Sequence, residues 1–300
     1  MRSKLQGLIA GGVCGLLLVT AGCGGGASAH TTVRFRPSHP EAAAEAVAAT
    51  ETTGAATETT AAAEGFGSLK GRVVVQGDLS NPPPQYPAGG APKDPTVCGV
   101  TAIPNETVVV NNGGLANVFI YLAKSPKKVP PPPSTPVVFD QKSCIFLPHA
   151  LVVQTNQPVT ILNDDAALHN THTYPKRNSV FNQGVQPNDR TGVNLVYTRA
   201  ESQPFQVGCD VHPWMVAYHL PVDHPYAVVS GPDGTFEIKD LPAGKHEFKV
   251  WHEKGGELQK ALSITIKANE TTEQEIPVAA SKLAQFQGPA SKVIQLSSAR

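Results

Sequence analysis

Cys209-Asp210-Val211-His212-Pro213-Trp214-Met215 places a cysteine, a histidine and a methionine in one loop at C-x2-H-x2-M spacing. Thiolate, imidazole and thioether are the soft and borderline donors that suit copper, and a second histidine would complete a one-electron copper site. Met215 is also the only methionine after Met1. Each residue has an ordinary reading by itself. Cys209 could be a buried structural thiol, Met215 core filler, and His212 before Pro213 a turn residue. Their coincidence in one short loop favours metal over all three.

Cysteine counting bears on whether Cys209 is free. The chain has five cysteines. Arg2 and Lys4 precede an apolar run, residues 7–21, too short to span a bilayer comfortably and typical of an export signal. Cys14 leaves with that signal. Thr20-Ala21-Gly22-Cys23 resembles a bacterial lipobox, in which the cysteine becomes the lipidated first residue, although Thr20 stands where Leu is usual. Residues 1–23 are thus expected to be a signal peptide, and the mature chain an extracytoplasmic lipoprotein anchored through Cys23. Cleavage without lipid is the alternative. Cys98, Cys144 and Cys209 remain, and in an oxidising compartment two of them should pair. A Cys98–Cys144 disulfide leaves Cys209 as a thiolate. The competing Cys144–Cys209 pairing would abolish the metal site.

The rest of the chain must hold this loop. Basic and acidic residues number 24 each, so nothing suggests a nucleic-acid-binding or polybasic membrane surface. Glycine and proline number 27 each, and they punctuate short runs rich in Val, Ile, Thr and Phe. That pattern predicts an all-β fold. Phe205, Val207 and Cys209 alternate, so they share one strand face and point Cys209 towards a core. Residues 150–154 and 158–162 read as strands flanking a turn at Thr155-Asn156-Gln157. The second ends at Asn163-Asp164-Asp165, read as a turn cluster with poor copper ligands. His169-Asn170 follows, where a strand end could deliver a histidine to the loop.

Phe146 to Asn170 reads F-x-P-x-x-L-x-V and then N-x-D-x-x-x-H-N, and the loop after it reads C-x-x-H-P-aromatic-M. Together these resemble the cupredoxins, the plastocyanin-like blue copper proteins, over residues 136–222. The resemblance implies a Greek-key β-sandwich with one type 1 copper centre. Its ligands would be His169, Cys209, His212 and the weak axial Met215. His172 matches a position that is not a ligand. Asn170 would clasp the ligand loop and hydrogen-bond the sulfur, while Pro213 and Trp214 surround His212 with apolar surface. The resemblance also implies that the edge of His212 reaches the surface as an electron port. The polar stretch 173–192 departs from the family, which usually continues a strand there.

The flanks have their own pattern. Residues 233–250 follow D-G-x-F-x-I-x-x-L-P-x-G-x-x-x-F-x-V and resemble carboxypeptidase-regulatory-like modules, which are small Ig-like or transthyretin-like sandwiches. Gly71 to Val75 and Ala116 to Leu122 would supply further strands. One sandwich built from 66–125 and 224–278, with the cupredoxin inserted, is expected; tandem domains are the alternative. Residues 24–65 read as a disordered Ala/Glu/Thr-rich tether, and 279–300 as a flexible tail. His149 reads as structural, and His219, His224 and His252 as surface or loop residues.

The functional expectation is a single-electron carrier, not an enzyme, that docks to a cytochrome or oxidoreductase. Copper storage or delivery, and a metal-free binding module, are the other readings. No histidine cluster suggests a trinuclear copper site.

Overall fold

The computed structural model describes residues 65–284; the signal segment, Cys23 and nearly all of the tether lie outside them. No helix among the described residues is long and apolar enough to cross a membrane. The described chain is all-β, with four sheets in two sandwiches. The first sandwich is made by the two ends of this region. One of its sheets is centred on Phe66–Gln76, which pairs with Thr235–Pro242 and Gly114 along one edge and in parallel with Thr271–Ala279 along the other. The facing sheet runs Ala227–Val229, Phe119–Leu122, Gly244–His252, Gly256–Ile266. Between them lie Leu69, Val73, Ile120, Phe236, Ile238, Phe248, Val250 and Ile276, all buried. The alternation of Phe236 with Ile238, and of Phe248 with Val250, supplies one inward face per strand.

The second sandwich is formed by residues 137–222, between the two halves of the first. One sheet runs Asn182–Val185, His169–Thr173, Phe205–Gly208, Val216–Val222, Ala150–Gln154; the other runs Val193–Val196, Pro158–Asn163, Val137–Lys142, Ile145–Leu147. The turn at Thr155-Asn156-Gln157 therefore does not make a hairpin. It carries the chain from one sheet to the other, with Asn156 in the left-handed region at φ 67°. Asn182–Val185 pairs with His169–Thr173 inside the stretch that reads as polar loop. Its backbone joins the ladder with Asn182 and Gln183 exposed and Val185 buried.

Two expected boundaries move. Residues 66–125 do not all serve the first sandwich: Tyr86, Ala91, Val97, Cys98 and Ile103 pack into the core of the second, beside Phe139, Phe146 and Trp214. This segment carries only a short helix, Pro95–Cys98, and one isolated bridge, Tyr86 to Ile103. Within the expected tail, Ala280–Ala284 is helical and buries Leu283 in the first core, and residues 285–300 lie outside the described residues. The sandwiches meet through Phe119, Tyr121 and Trp251 on one side and Ala150, Leu220 and Val222 on the other. That contact explains why all four residues of Phe119–Leu122 are buried. Phe119 and Tyr121 face the junction while Ile120 and Leu122 face the first core.

Candidate metal centre

Cys209 follows the strand Phe205–Gly208, in which Phe205 and Val207 are buried and Gln206 is exposed, so the period-two pattern carries Cys209 inward. The loop then closes on itself. The Met215 N–H donates to the His212 carbonyl at 2.9 Å, and the Cys209 N–H donates to the Met215 carbonyl at 3.2 Å. His169 opens the neighbouring strand, His169–Thr173, which pairs with Phe205–Gly208. One ligating atom from each of His169, Cys209 and His212 lies within 4.8 Å of the other two. The Nδ1 atoms of the histidines are 2.9 Å apart, and Cys209 Sγ is 3.9 Å from His212 Nδ1. Both rings are fully buried, Cys209 and Met215 nearly so. Cys144, Asp165 and His169 form a second such grouping, but Cys144 is bridged to Cys98 and has no thiolate to offer.

The outer nitrogens decide what the inner ones can do. His169 Nε2 lies 2.9 Å from Asp165 Oδ2, and His212 Nε2 lies 2.9 Å from Asp94 Oδ2. A carboxylate can only accept, so each Nε2 carries the hydrogen and each neutral ring turns a bare Nδ1 lone pair inward. Two such lone pairs facing each other at 2.9 Å, beside a thiol, need a cation or a proton between them. A neutral imidazole whose outer N–H is held by a carboxylate is the usual form of a metal-ligating histidine. The donor set therefore fits a thiophilic, imidazole-binding ion such as copper. Protons compete for the same places. Burial alone would raise the Cys209 thiol, but without metal an inward ring protonated at Nδ1, together with the Asn170 and His212 backbone N–H groups, brings it down to about 6. Burial alone would lower His169, yet its bonds to Asp165 and Cys209 leave it raised.

Asn170 ties the strand to the loop. Its backbone N–H points at Cys209 Sγ at 3.5 Å, and its Oδ1 lies 3.3 Å from that sulfur. The same Oδ1 accepts the Asp210 N–H at 2.7 Å, while Nδ2 donates to Asp210 Oδ2 and Asn182 Oδ1. Trp214 packs edge-on to His212 and donates its indole N–H to the Cys144 carbonyl at 3.1 Å. Pro213 is exposed beside it. His172 stays outside the grouping and pairs with Asp210 at 3.0 Å.

Several expectations are corrected here. His212 is no surface edge: its exposure is 0 %, because Asp94 comes from the segment ahead of the sandwich and covers it. Asp165 is more than a turn former. It accepts from His169, and its two oxygens also take the Ser143 and Cys144 N–H groups. His219, His224 and His252 are buried rather than solvated. His149 is buried against Glu253, with Glu106 nearby. The residue that sequence reasoning misses altogether is Asp94. Asp before Pro95 signals a helix start, and the Pro95–Cys98 helix forms there, but nothing in it points 118 residues ahead to His212.

No protein-family model and no curated protein matches the chain. Among solved structures, it is similar to a reduced Cu(I) form of an amicyanin variant, with 20% identity over 29% of this chain and 82% of that one and a TM-score of 0.26. It is similar to a purple cupredoxin from Nitrosopumilus maritimus at 19% identity, over 29% of this chain and 99% of that one, with a TM-score of 0.24. A copper-containing nitrite reductase from Thermus scotoductus matches at 16% identity over 34% of this chain, with a TM-score of 0.27, and the chain spans 25% of its length.

Proposed function

We propose that this is a type 1 copper protein that carries single electrons outside the cytoplasm. The observation that supports the reading best is the facing pair of Nδ1 atoms beside Cys209, with both outer nitrogens held by carboxylates. His169, His212, Cys209 and Met215 would hold the copper. Bound there, copper would supply a one-electron couple. The chain supplies the rest. Asp94 and Asp165 hold the rings in one tautomer, so no ring has to turn when the charge of the site changes. Asn170 keeps the sulfur and the start of the loop in register. The short loop from Cys209 to Met215 limits ligand movement, and burial excludes water. No enzymatic role is proposed. The disulfide accords with an oxidising compartment, and we read Cys23 as a lipid anchor for a protein that meets a cytochrome or oxidoreductase. The first sandwich we read as a carboxypeptidase-regulatory-like module.

Copper(II) added to the purified metal-free protein is expected to give one equivalent bound and an intense visible thiolate-to-copper band. Cys209→Ala should abolish the band entirely. A reversible voltammetric wave would separate electron carriage from storage. Failure of the wild type to take up stoichiometric copper would sink the reading.

A further inference from the structure

The contact between Asp94 and His212 is built with more care than a chance surface pairing requires. Asp94 caps the helix Pro95–Cys98, and its carbonyl accepts the N–H groups of Val97 and Cys98. Asp at such a position ordinarily turns its carboxylate back to the free amides of the first turn. Here it makes no such bond; the carboxylate goes to His212 Nε2 instead. Its backbone is left-handed, at φ 46° and ψ 51°, a conformation that Asp adopts more readily than most non-glycine residues. The side chain of Asp94 is 42% exposed while His212 is fully buried, so a carboxylate stands where water would otherwise reach the ring.

A covalent tie lies four residues on. Cys98 ends the same short helix and is bridged to Cys144. Cys144 is fully buried, and its backbone reaches both other parts of the centre. Its N–H donates at 2.8 Å to Asp165 Oδ2, the same oxygen that receives the His169 Nε2–H. Its carbonyl accepts the Trp214 indole N–H, and that ring packs on His212 with centroids 5.0 Å apart. The carboxylate partners of both histidines are thus tied to one covalent bridge, although they lie 71 residues apart in the chain.

We propose that Asp94 is a positioning residue for His212, held on the ring by the Cys98–Cys144 bridge, which through Cys144 also steadies Asp165 on His169. This rests on the copper reading, and it adds a role that the ligand loop does not contain. A carboxylate hydrogen-bonded to the outer nitrogen makes the ring a stronger donor and favours the more highly charged metal state.

The test compares full-length wild type with Asp94→Asn and Asp94→Ala, with Asp164→Asn as a control for a nearby charge that touches neither ring. Asp94→Ala is expected to weaken copper(II) binding about 10–100-fold. If copper(I) binding is unchanged, that fold-change corresponds to a midpoint potential about 60–120 mV higher. Asp94→Asn keeps an acceptor oxygen without the charge and should fall between, while Asp164→Asn should shift little. A second readout needs no metal. Nitrogen-15 NMR of the metal-free wild type should show His212 as the Nε2–H tautomer, and Asp94→Ala should lose that preference. Unchanged affinity, potential and tautomer in Asp94→Ala would overturn the proposal while leaving the copper reading intact. If the wild type binds no copper, that reading fails alone and the tautomer decides the role of Asp94. Replacing both bridge cysteines by alanine should reproduce the Asp94→Ala tautomer change; a ring that stays fixed without the bridge removes the bridge from the proposal.

Discussion

Replacing Cys98 and Cys144 together by alanine is expected to lower the unfolding free energy by about 4 kcal/mol. The bridge closes a loop with a sequence separation of 46. The chain-entropy model gives about 4 kcal/mol for that length, from the freedom the crosslink denies to the unfolded chain. Native-state effects add to this figure. Both sulfurs are buried, at 2 % and 0 % exposure, so truncation also leaves a small void. The loss should not be shared evenly. Apart from the bridge, the segment from Tyr86 to Ile103 is held by a few buried side chains, by the isolated pairing of its ends, and by Asp94. It should therefore open locally before the sandwiches unfold. Urea denaturation would report the global loss as a lower midpoint at similar slope. Hydrogen exchange would report the local one as faster exchange at the Val97, Cys98 and Gly99 amides, which bond within the helix and its cap. A variant within about 1 kcal/mol of wild type, with those amides still protected, would show that the bridge is not what anchors the segment.

That segment also marks where sequence reading stops. The convergence of Cys209 and His212 is legible because both lie in one short loop, where spacing alone brings donors together. His169 is legible through the strand pattern ahead of it, and the Cys98–Cys144 pairing through counting. Asp94 is illegible for the opposite reason. Its partner lies 118 residues away, and the segment between Gln76 and Val110 has no strand period from which a register could be extended. The burial of His212 follows from that cover, so a reading based on the loop alone leaves its edge at the surface. Phe119–Leu122 shows the same limit differently. Alternation tells which residues share a face but not whether a second sandwich covers the other face. The exposure of His219 and His252 is misjudged as well; His219 packs inside its own sandwich, against Phe139, Tyr197 and Phe205, on a strand that reads as loop.

Those two histidines carry the largest pH effect expected of the protein. Burial lowers His219 to about 3, and it lowers His252 to about 3 with help from His149 and Lys254. In the unfolded chain each returns to about 6.5. Between these values the unfolded state binds more protons than the fold, so stability rises with pH and is lost as pH falls from about 6.5 towards 3. At pH 4 the loss is on the order of 3 kcal/mol for each ring. Neither ring has an easy way to accept a proton in place. His219 meets the Tyr197 hydroxyl at Nδ1 and the edge of Phe139, and its Nε2 has no partner; His252 Nε2 has none either. His149 acts in the other direction. Burial would lower it, but the carboxylates of Glu253 and Glu106 raise it overall, so its stabilisation is full in acid and fades as pH rises through its raised value. Below pH 6 its contribution is therefore present in full and constant, so it does not offset the slope set by His219 and His252. Denaturation of the metal-free protein at a series of pH values should show stability falling steeply between about pH 6 and pH 4. His219→Gln and His252→Gln should each remove about one proton from that slope, since glutamine does not titrate in this range. Titration of the metal-ligand cluster is common to variant and wild type and cancels in the comparison. Equal stability at pH 4 and pH 7, or variants that keep the full slope, would mean that these rings are already protonated or solvated in the fold.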